Sequence, residues 1–245
     1  MVKKKLNIVS LIPARKNSKG LKNKNIINFF KKPLISYSIK VSLKSKLINK
    51  TFVSTDSKKI KNISVKYKAE CPFLRPSKYS GDKSTDLQVF KHFYNFYKKK
   101  FGIKIDLIVH LRPTTPLRCP KLLNKLIYLM SKKKNKSFTA LRCFTEVEKS
   151  PYKMWNKYGK KASPFVKSKK EYHSISRQDL PKVYRHLGYV DIIRPSKTIE
   201  KNSMVGNKVY FFKIDPKKYY ITDIDSKDDL IVMEKDKKKF LKFYK

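Results

Sequence analysis

The stretch LNIVSLIPARKNSKGLKNKN, residues 6–25, decides the fold. Its opening run, residues 6–12, is mostly apolar and leads directly into charged residues, a pattern that predicts a buried strand. A polar loop with one glycine follows from Ala14 to Asn25, and an amphipathic stretch begins at Pro33. Strand, loop and helix in this order predict an α/β unit. The loop then lies at the carboxyl end of the strand, where open α/β sheets bind ligands.

The same alternation continues along the chain. We predict strands at 51–54, 107–111, 137–141 and 210–212, and helices at 58–68, 85–97, 120–130 and from 226 to the C-terminus. Strands that alternate with helices indicate one α/β domain over residues 1–245, with a mostly parallel, Rossmann-like sheet between helices. Residues 149–170 interrupt this rhythm and are interpreted as a disordered loop or as an excursion from the sheet.

The composition is that of a globular protein. Of 245 residues, 40% are hydrophobic, enough for a core that needs no disulfide or structural metal. No N-terminal segment has the pattern of a signal peptide, and no apolar run approaches the roughly 20 residues that span a bilayer. The three cysteines are dispersed and form no C-x-x-C pair. We therefore expect a protein of the reducing cytoplasm that does not bind membranes.

The formal charge of +43 raises the possibility of a nucleic-acid-binding module. Only 8 of the 61 basic residues are arginine, and the lysines are spread along the whole chain. Such a spread favours a general bias towards lysine as the cause of the charge, so we expect no nucleic-acid partner. A basic nucleic-acid-binding module stays open as the alternative. Most arginines fall in short motif-like segments: Arg15, Arg75, Arg112, Arg118, Arg177 and Arg185. Arginines in such segments of an otherwise lysine-rich chain predict a ligand rich in phosphate or carboxylate.

Two segments carry residues suited to a metal-bound phosphate. Arg15, Lys19 and Lys24 place three cations in the first loop, and Gly20 lets the backbone approach a ligand closely. The loop is neither G-x-G-x-x-G nor a P-loop, and charge alone does not distinguish it from a lysine-rich surface loop. Near the C-terminus, Asp223 and Asp225 flank an isoleucine. In an extended segment both carboxylates point to one face, about 6 to 7 Å apart, and suit one hard cation.

Six segments in order resemble the CMP-sugar synthetases, notably the acylneuraminate cytidylyltransferases. The family's N-terminal signature is A-R-x-x-S-K-G-[IL]-P-x-K-N, and the first loop matches eight of its positions with Ala14, Arg15, Ser18, Lys19, Gly20, Leu21, Lys24 and Asn25. The other segments are Val53–Asp56, Leu74–Pro76 with Asp82, Ser84 and Thr85, Leu111–Arg118, Arg177–Pro181 with Arg185 and Gly188, and Asp223–Asp225 with Asp229. The resemblance covers nearly the whole chain and implies a nucleotide-diphosphosugar transferase-like fold.

The resemblance implies a reaction and its residues. The anomeric hydroxyl of an acidic 2-keto sugar, a sialic acid or related nonulosonic acid, attacks the α-phosphorus of CTP and expels pyrophosphate. Catalysis is assigned to Arg15, Lys19, Lys24 and Asp225, nucleotide binding to Arg15, Ser18, Asn25, Arg75, Ser84 and Thr85, sugar binding to Arg112, Arg177, Gln178 and Arg185, and Mg²⁺ to Asp223 and Asp225. A nucleotidyltransferase for a different sugar, such as Kdo, stays open as an alternative.

The family implies assembly and cellular role as well. Its members generally dimerise through an excursion like residues 149–170, with one subunit lending residues to its neighbour's pocket, so we expect a homodimer. The implied setting is the synthesis of cell-surface polysaccharide in the cytoplasm.

Four residues depart from the family's pattern. Lys22 replaces a proline, Arg112 a glutamine near the sugar, and His186 and Leu187 a Pro-Asn pair. These changes bear on which sugar fits more than on the reaction class.

Other polar residues are expected to be structural. Ser226 and Asp229 form a capping-box pattern, so we interpret Asp229 as a helix cap rather than a metal ligand. His92 and His110 are interpreted as core histidines.

Overall fold

A computed structural model describes residues 6–18, 20–216, 218–219 and 221–235. The strands are β1 (Ile8–Pro13), β2 (Asn28–Phe29), β3 (Lys32–Pro33), β4 (Lys50–Ser54), β5 (Leu107–His110), β6 (Ala140–Glu146), β7 (Trp155–Tyr158), β8 (Lys161–Pro164), β9 (Tyr184–Ile193) and β10 (Val209–Lys213). The α-helices are α1 (Leu34–Leu43), α2 (Lys58–Lys66), α3 (Asp86–Phe101), α4 (Pro120–Ser131) and α5 (Lys227–Lys235).

Six strands form the central sheet, in the order β10-β6-β9-β5-β1-β4. β4, β1 and β5 are mutually parallel, as are β6 and β10, whereas β9 runs antiparallel to both β5 and β6. The prediction of a mostly parallel sheet is therefore confirmed, with one reversed strand inserted between its two parallel halves.

Helices cover both faces of the sheet, which explains why β1 is mostly apolar on both of its faces. Ile12 belongs to a core that includes Ile35 and Ile39 of α1 together with residues of α4, whereas Val9 and Leu11 belong to a core that includes Phe90 of α3. Because alternate residues of a strand point to opposite faces, both sets of β1 side chains must be apolar.

The helix boundaries follow local signals. The Thr85 side chain accepts a hydrogen bond from the Gln88 amide and completes a capping box that starts α3. The helix ends at Gly102, whose φ of 64° is a left-handed conformation that glycine adopts without strain. α4 has Pro120 in its first turn. At α5, the Asp229 carboxylate accepts hydrogen bonds from the Ser226 amide and hydroxyl, which confirms the capping role of Asp229.

The strand predictions were incomplete in the second half of the chain. β6 begins at Ala140 and continues to Glu146, further along than predicted. β9 was missed because histidine, arginine, glycine and aspartate interrupt its apolar pattern; its Asp191 is nevertheless buried. Within 149–170, β7 and β8 form a separate two-stranded sheet.

Candidate active site

A cavity of about 420 Å³ opens at the carboxyl ends of β1 and β5, and we call it the first cavity. Its described lining residues come from three stretches, 13–25, 75–89 and 110–114. These stretches follow different strands of the parallel half of the sheet, so the topology places the cavity where α/β sheets bind ligands.

The first loop is tied to its surroundings through backbone and side chain. Arg15 Nη1 lies 2.8 Å from Asp82 Oδ1 and donates to the Gly81 carbonyl at 3.1 Å. Asn25 is buried and its Nδ2 donates to the Arg15 carbonyl at 2.9 Å. Arg15, Ser18, Lys24 and Asn25 all line the first cavity. Lys19, predicted to be catalytic, lies outside the described residues.

The first loop, Ala14 to Asn25, is in direct contact with the acidic segment, Asp223 to Asp225. Lys24 Nζ lies 2.8 Å from Asp225 Oδ1. A Cβ atom on Gly20 would lie only 2.6 Å from the Asp225 carbonyl oxygen, so the loop approaches this segment as closely as a glycine allows. Ile224 is fully buried between the two acids and donates its amide to the Thr114 carbonyl at 2.8 Å. The structure thus brings together two regions about 200 residues apart in the chain.

Asp223 lies at the opposite end of the acidic segment from Asp225. Its Oδ1 accepts a hydrogen bond from the Thr115 hydroxyl. A Cβ atom on Gly188 would lie 3.3 Å from both of these oxygens and 3.4 Å from Arg112 Cδ. Asp223 therefore adjoins Arg112, while Asp225 adjoins Lys24. In the described parts of the chain, no three His, Cys, Asp or Glu side chains converge as a metal-binding group.

The second lining stretch positions Arg75 and Ser84 at the first cavity. Arg75 is buried and donates from Nε to Ser80 Oγ at 3.1 Å. Burial lowers the pKa of its guanidinium. Thr85 has a different place: its side chain caps α3, and it is not among the described residues that line the first cavity.

Arg118 holds the third lining stretch in place. Its buried guanidinium donates to the carbonyls of Arg112 and Gly188 at 2.9 and 3.2 Å, to Ser38 Oγ at 2.9 Å, and to the carbonyls of Thr115 and Tyr189. Burial lowers the pKa of Arg118 to about 10. The arginine distribution had indicated a ligand-facing residue here, and that interpretation is wrong because protein acceptors occupy all five donors.

Arg112 faces the first cavity and is paired to an aspartate that sequence analysis missed. Its Nη1 lies 2.9 Å from Asp191 Oδ2, and Asp191 Oδ1 lies 2.7 Å from His186 Nε2. Burial alone would raise the pKa of Asp191, but the His186 hydrogen bond and the Arg112 charge outweigh it and hold this pKa well below its usual range. A single acid within the apolar run of residues 189–193 was the available signal.

The other predicted sugar-binding residues lie elsewhere in the chain. Arg177 and Gln178 line a second cavity of about 930 Å³, beside β6, β10 and the segment that precedes β9. Arg177 donates to the Glu148 carbonyl. Arg185 is exposed on β9, opposite Thr145. No described residue lines both cavities, and Arg177 and Gln178 are not among the described residues that line the cavity of Arg112.

The histidine of β5 is a core residue, as predicted. His110 is 1% exposed and its ring packs edge-on against Phe90. Burial lowers the pKa of His110 to about 3, so the ring is neutral at physiological pH. His92 is half-buried on α3 and packs edge-on against Phe73.

Comparison with known proteins places this geometry in a family. The cytidylyltransferase family model matches residues 9–242. The chain is 31% identical, over 75% of its length, to the pseudaminic acid cytidylyltransferase and UDP-2,4-diacetamido-2,4,6-trideoxy-beta-L-altropyranose hydrolase of Helicobacter pylori. It is 36% identical, over 45% of its length, to an N-acylneuraminate cytidylyltransferase of Escherichia coli. The matched regions span only 34% and 25% of those two proteins.

A third relative matches over nearly its full length. The CMP-N,N'-diacetyllegionaminic acid synthase of Campylobacter jejuni is 29% identical over 93% of both chains. Among solved structures, a CMP:2-keto-3-deoxy-manno-octonic acid synthetase complexed with CTP superimposes with a TM-score of 0.66 at 12% identity, covering 94% of this chain and 99% of that one. At that identity the likeness concerns the fold alone, and it confirms the predicted nucleotidyltransferase architecture. The chain therefore belongs to the cytidylyltransferase family, which confirms the resemblance to CMP-sugar synthetases and the nucleotidyltransferase class that it implied.

Proposed function

We propose that this protein transfers CMP from CTP to an acidic 2-keto sugar of the nonulosonic acid class and releases pyrophosphate. The observation that carries the proposal is the meeting of the first loop and the acidic segment beside one cavity, through Lys24, Gly20 and Asp225. A phosphoryl-transfer site needs cations at the phosphates and a means of orienting the attacking hydroxyl, and this arrangement offers groups for both.

The cationic side of the first cavity suits a triphosphate. Arg15, Lys24 and Arg75 line it together with Ser18 and Ser84. Arg15 and Lys24 are each paired with a carboxylate at 2.8 Å. Arg75 donates to uncharged oxygens, at 3.1 Å to Ser80 Oγ and 3.4 Å to the Ser54 carbonyl. We assign these cations to the phosphates of CTP and to the pyrophosphate that leaves.

The donor set of the acidic segment fits Mg²⁺. Asp223 and Asp225 offer hard carboxylate oxygens, and Mg²⁺ is usually held by one or two carboxylates with substrate phosphates and waters. With only two acids at hand, a bound Mg²⁺ would need the nucleotide to complete its ligands. It would supply positive charge at the α-phosphate, and Asp225 would also orient or deprotonate the sugar hydroxyl.

We propose a homodimer in which the partner's Arg177 and Gln178 complete the sugar site. The separation of the two cavities within one chain supports this arrangement. The excursion also exposes large apolar side chains, with Trp155, Tyr158 and Phe165 at 51%, 63% and 57% exposure. An exposed apolar cluster of this kind is typical of a protein–protein interface. A monomeric mass in solution at micromolar concentration would contradict the dimer.

A cytoplasmic location and a role in cell-surface polysaccharide synthesis belong to the same proposal. All three cysteines are free thiols, as expected in a reducing compartment. No helix within the described part of the chain has the length and apolar character to cross a membrane.

The experiment that tests the function is pyrophosphate release from CTP and Mg²⁺ against a panel of sugars: N-acetylneuraminic, N,N'-diacetyllegionaminic and pseudaminic acids and Kdo. We expect release with at least one nonulosonic acid and none with CTP alone. Reaction with Kdo only would replace the substrate class. CTP binding without reaction of any sugar would overturn the proposed transfer and leave the family membership intact.

A further inference from the structure

A buried carboxylate lies behind the wall of the first cavity. The Asp191 side chain is 2% exposed and accepts hydrogen bonds from Arg112 on one oxygen and His186 on the other. Arg112 and His186 are two of the positions at which this chain departs from the CMP-sugar synthetase pattern. Both departures therefore meet on one acid that is not among the described residues lining the cavity.

The pairing fixes the direction of the Arg112 guanidinium. Nη1 is held at 2.9 Å by Asp191, while Nη2 lies 3.4 Å from Asp86 Oδ2 in the first turn of α3. Asp191 is buried, whereas the Asp86 side chain is 49% exposed. Because a guanidinium is a rigid planar fork, holding one arm determines where the other arm points. The Nη2 arm is therefore the one that a ligand in the cavity can reach.

The charges around this arm are balanced. A second arginine, Arg142, has its Nε 3.7 Å from Asp191 Oδ1. Three positive charges lie here, on Arg112, Arg118 and Arg142, with three negative charges on Asp86, Asp191 and Asp223. A ligand carboxylate would meet no net positive charge from these six groups. An uncharged acceptor needs only a hydrogen bond from the Arg112 guanidinium. This wall of the first cavity therefore suits a carbonyl oxygen better than an anion.

We propose that Asp191 is a positioning residue that determines sugar specificity. Acting through Arg112, it directs one guanidinium arm to an uncharged carbonyl of the sugar, of the N-acyl kind, and not to the sugar's carboxylate. The inference rests on the proposed function, and acyl groups of this kind are present in the diacetyllegionaminic acid of the Campylobacter jejuni relative.

Kinetics of four variants test the positioning role, with the sugar that the wild type converts best. Asp191→Asn is expected to raise the KM for the sugar about tenfold and to change the KM for CTP less than about twofold. Arg112→Gln should have a similar effect on the sugar, and the double variant should be no worse than the more affected single variant, because both act on one interaction. Lys121→Gln, which removes a positive charge from an exposed position on α4, is the control, with a sugar KM within about twofold of the wild type. Additive losses, or an equal loss for CTP, would overturn the role of Asp191.

Two substrate analogues identify the group that Arg112 binds. One has the N-acyl group removed to leave the amine, and the other has the carboxylate converted to a carboxamide. In the wild type, deacylation should lower kcat/KM about tenfold, and the Arg112→Gln/Asp191→Asn variant should show no such penalty. The carboxamide penalty should be the same in both proteins. If the carboxamide penalty vanishes in the double variant instead, Arg112 binds the carboxylate and the proposal is wrong.

Thermal unfolding separates this inference from the proposed function, because it needs no turnover. Arg112→Gln leaves a buried acid without its nearest cation, so it should lower Tm more than the double variant, in which two neutral amides replace the ion pair. The opposite order would overturn the Arg112–Asp191 unit. The expected order, together with no pyrophosphate release from any acidic sugar, would instead overturn the proposed function.

Discussion

The two cavities differ in how their residues are held. Around the first cavity, the loop, the acidic segment and the 110–118 stretch are connected through Lys24–Asp225, Gly20 and Arg118. The second cavity contains Arg177 and Gln178 from one motif, and no described residue lines both cavities. A motif thus indicates which chemistry a residue takes part in, but not whether its own chain or a partner uses it.

The largest expected effect concerns Asp225, the acid that pairs with Lys24 of the first cavity. Asp225→Asn keeps the size of the side chain and removes its charge, so turnover should fall by about a hundredfold or more, as for loss of a group that acts on the reacting atoms. The fold and the binding of CTP should persist, as measured by thermal unfolding and by nucleotide titration. Turnover equal to the wild type would exclude Asp225 from catalysis.

Complementation between two inactive variants tests whether Arg177 of one subunit completes the sugar site of the other subunit. Arg177→Gln and Asp225→Asn chains are each expected to be nearly inactive alone. Co-expressed in equal amounts, they should recover about a quarter of the wild-type activity per site, since half of a random set of dimers is mixed and each mixed dimer has one intact site. No recovery, with mixed dimers verified by mass, would place Arg177 in the site of its own chain.

A substitution at Gly20, where the first loop approaches the acidic segment closely, is expected to have an effect of intermediate size on stability and turnover. Gly20→Ala places a Cβ atom 2.6 Å from the Asp225 carbonyl, so the first loop and the acidic segment must separate. We expect a loss of stability of about 1 to 3 kcal/mol, as for other overpacked contacts, together with lower turnover. Gly81→Ala is a suitable control, because a Cβ atom there would meet only Ser84 Oγ at 3.9 Å. Denaturant unfolding and turnover of both variants would show whether the contact matters.

The smallest expected effect is at the cap of α5. Asp229→Asn weakens the hydrogen bonds that the carboxylate accepts from Asp225 and Ser226, at a cost of about 1 kcal/mol in the free energy of unfolding. Turnover per folded molecule should stay close to the wild type. A loss of turnover as large as that of Asp225→Asn would give Asp229 a direct part in the site.

Sequence analysis predicted the parallel half of the sheet better than the reversed strand. β1 and β5 are buried on both faces and therefore appear as apolar runs. β9 carries Asp191, whose burial depends on Arg112, a residue 79 positions away in the chain. No local pattern encodes this distant partner, so the strand was missed and the lone acid within residues 189–193 was not singled out.

The candidate site shows the same limit at its arginines. Arg112 and Arg118 belong to one motif and are alike in sequence, but one faces the first cavity and the other donates only to buried protein oxygens. Similarly, Thr85 belongs to a nucleotide-binding motif yet caps a helix. Motif position predicted that the first loop and the Asp223–Asp225 segment meet. It did not predict that Arg177 and Gln178 line a second cavity, or what each side chain contacts, because these depend on packing in the folded chain.

The contact between Lys24 and Asp225 has a consequence for synthesis on the ribosome. The two residues are 201 positions apart, whereas β1, β4 and β5 all lie within the first 110 residues and pair with one another. Local pairings form sooner than distant ones, so a growing chain can assemble these strands long before its acidic segment emerges. The Lys24–Asp225 contact is then made in a last step, after the strands that carry the first loop have paired.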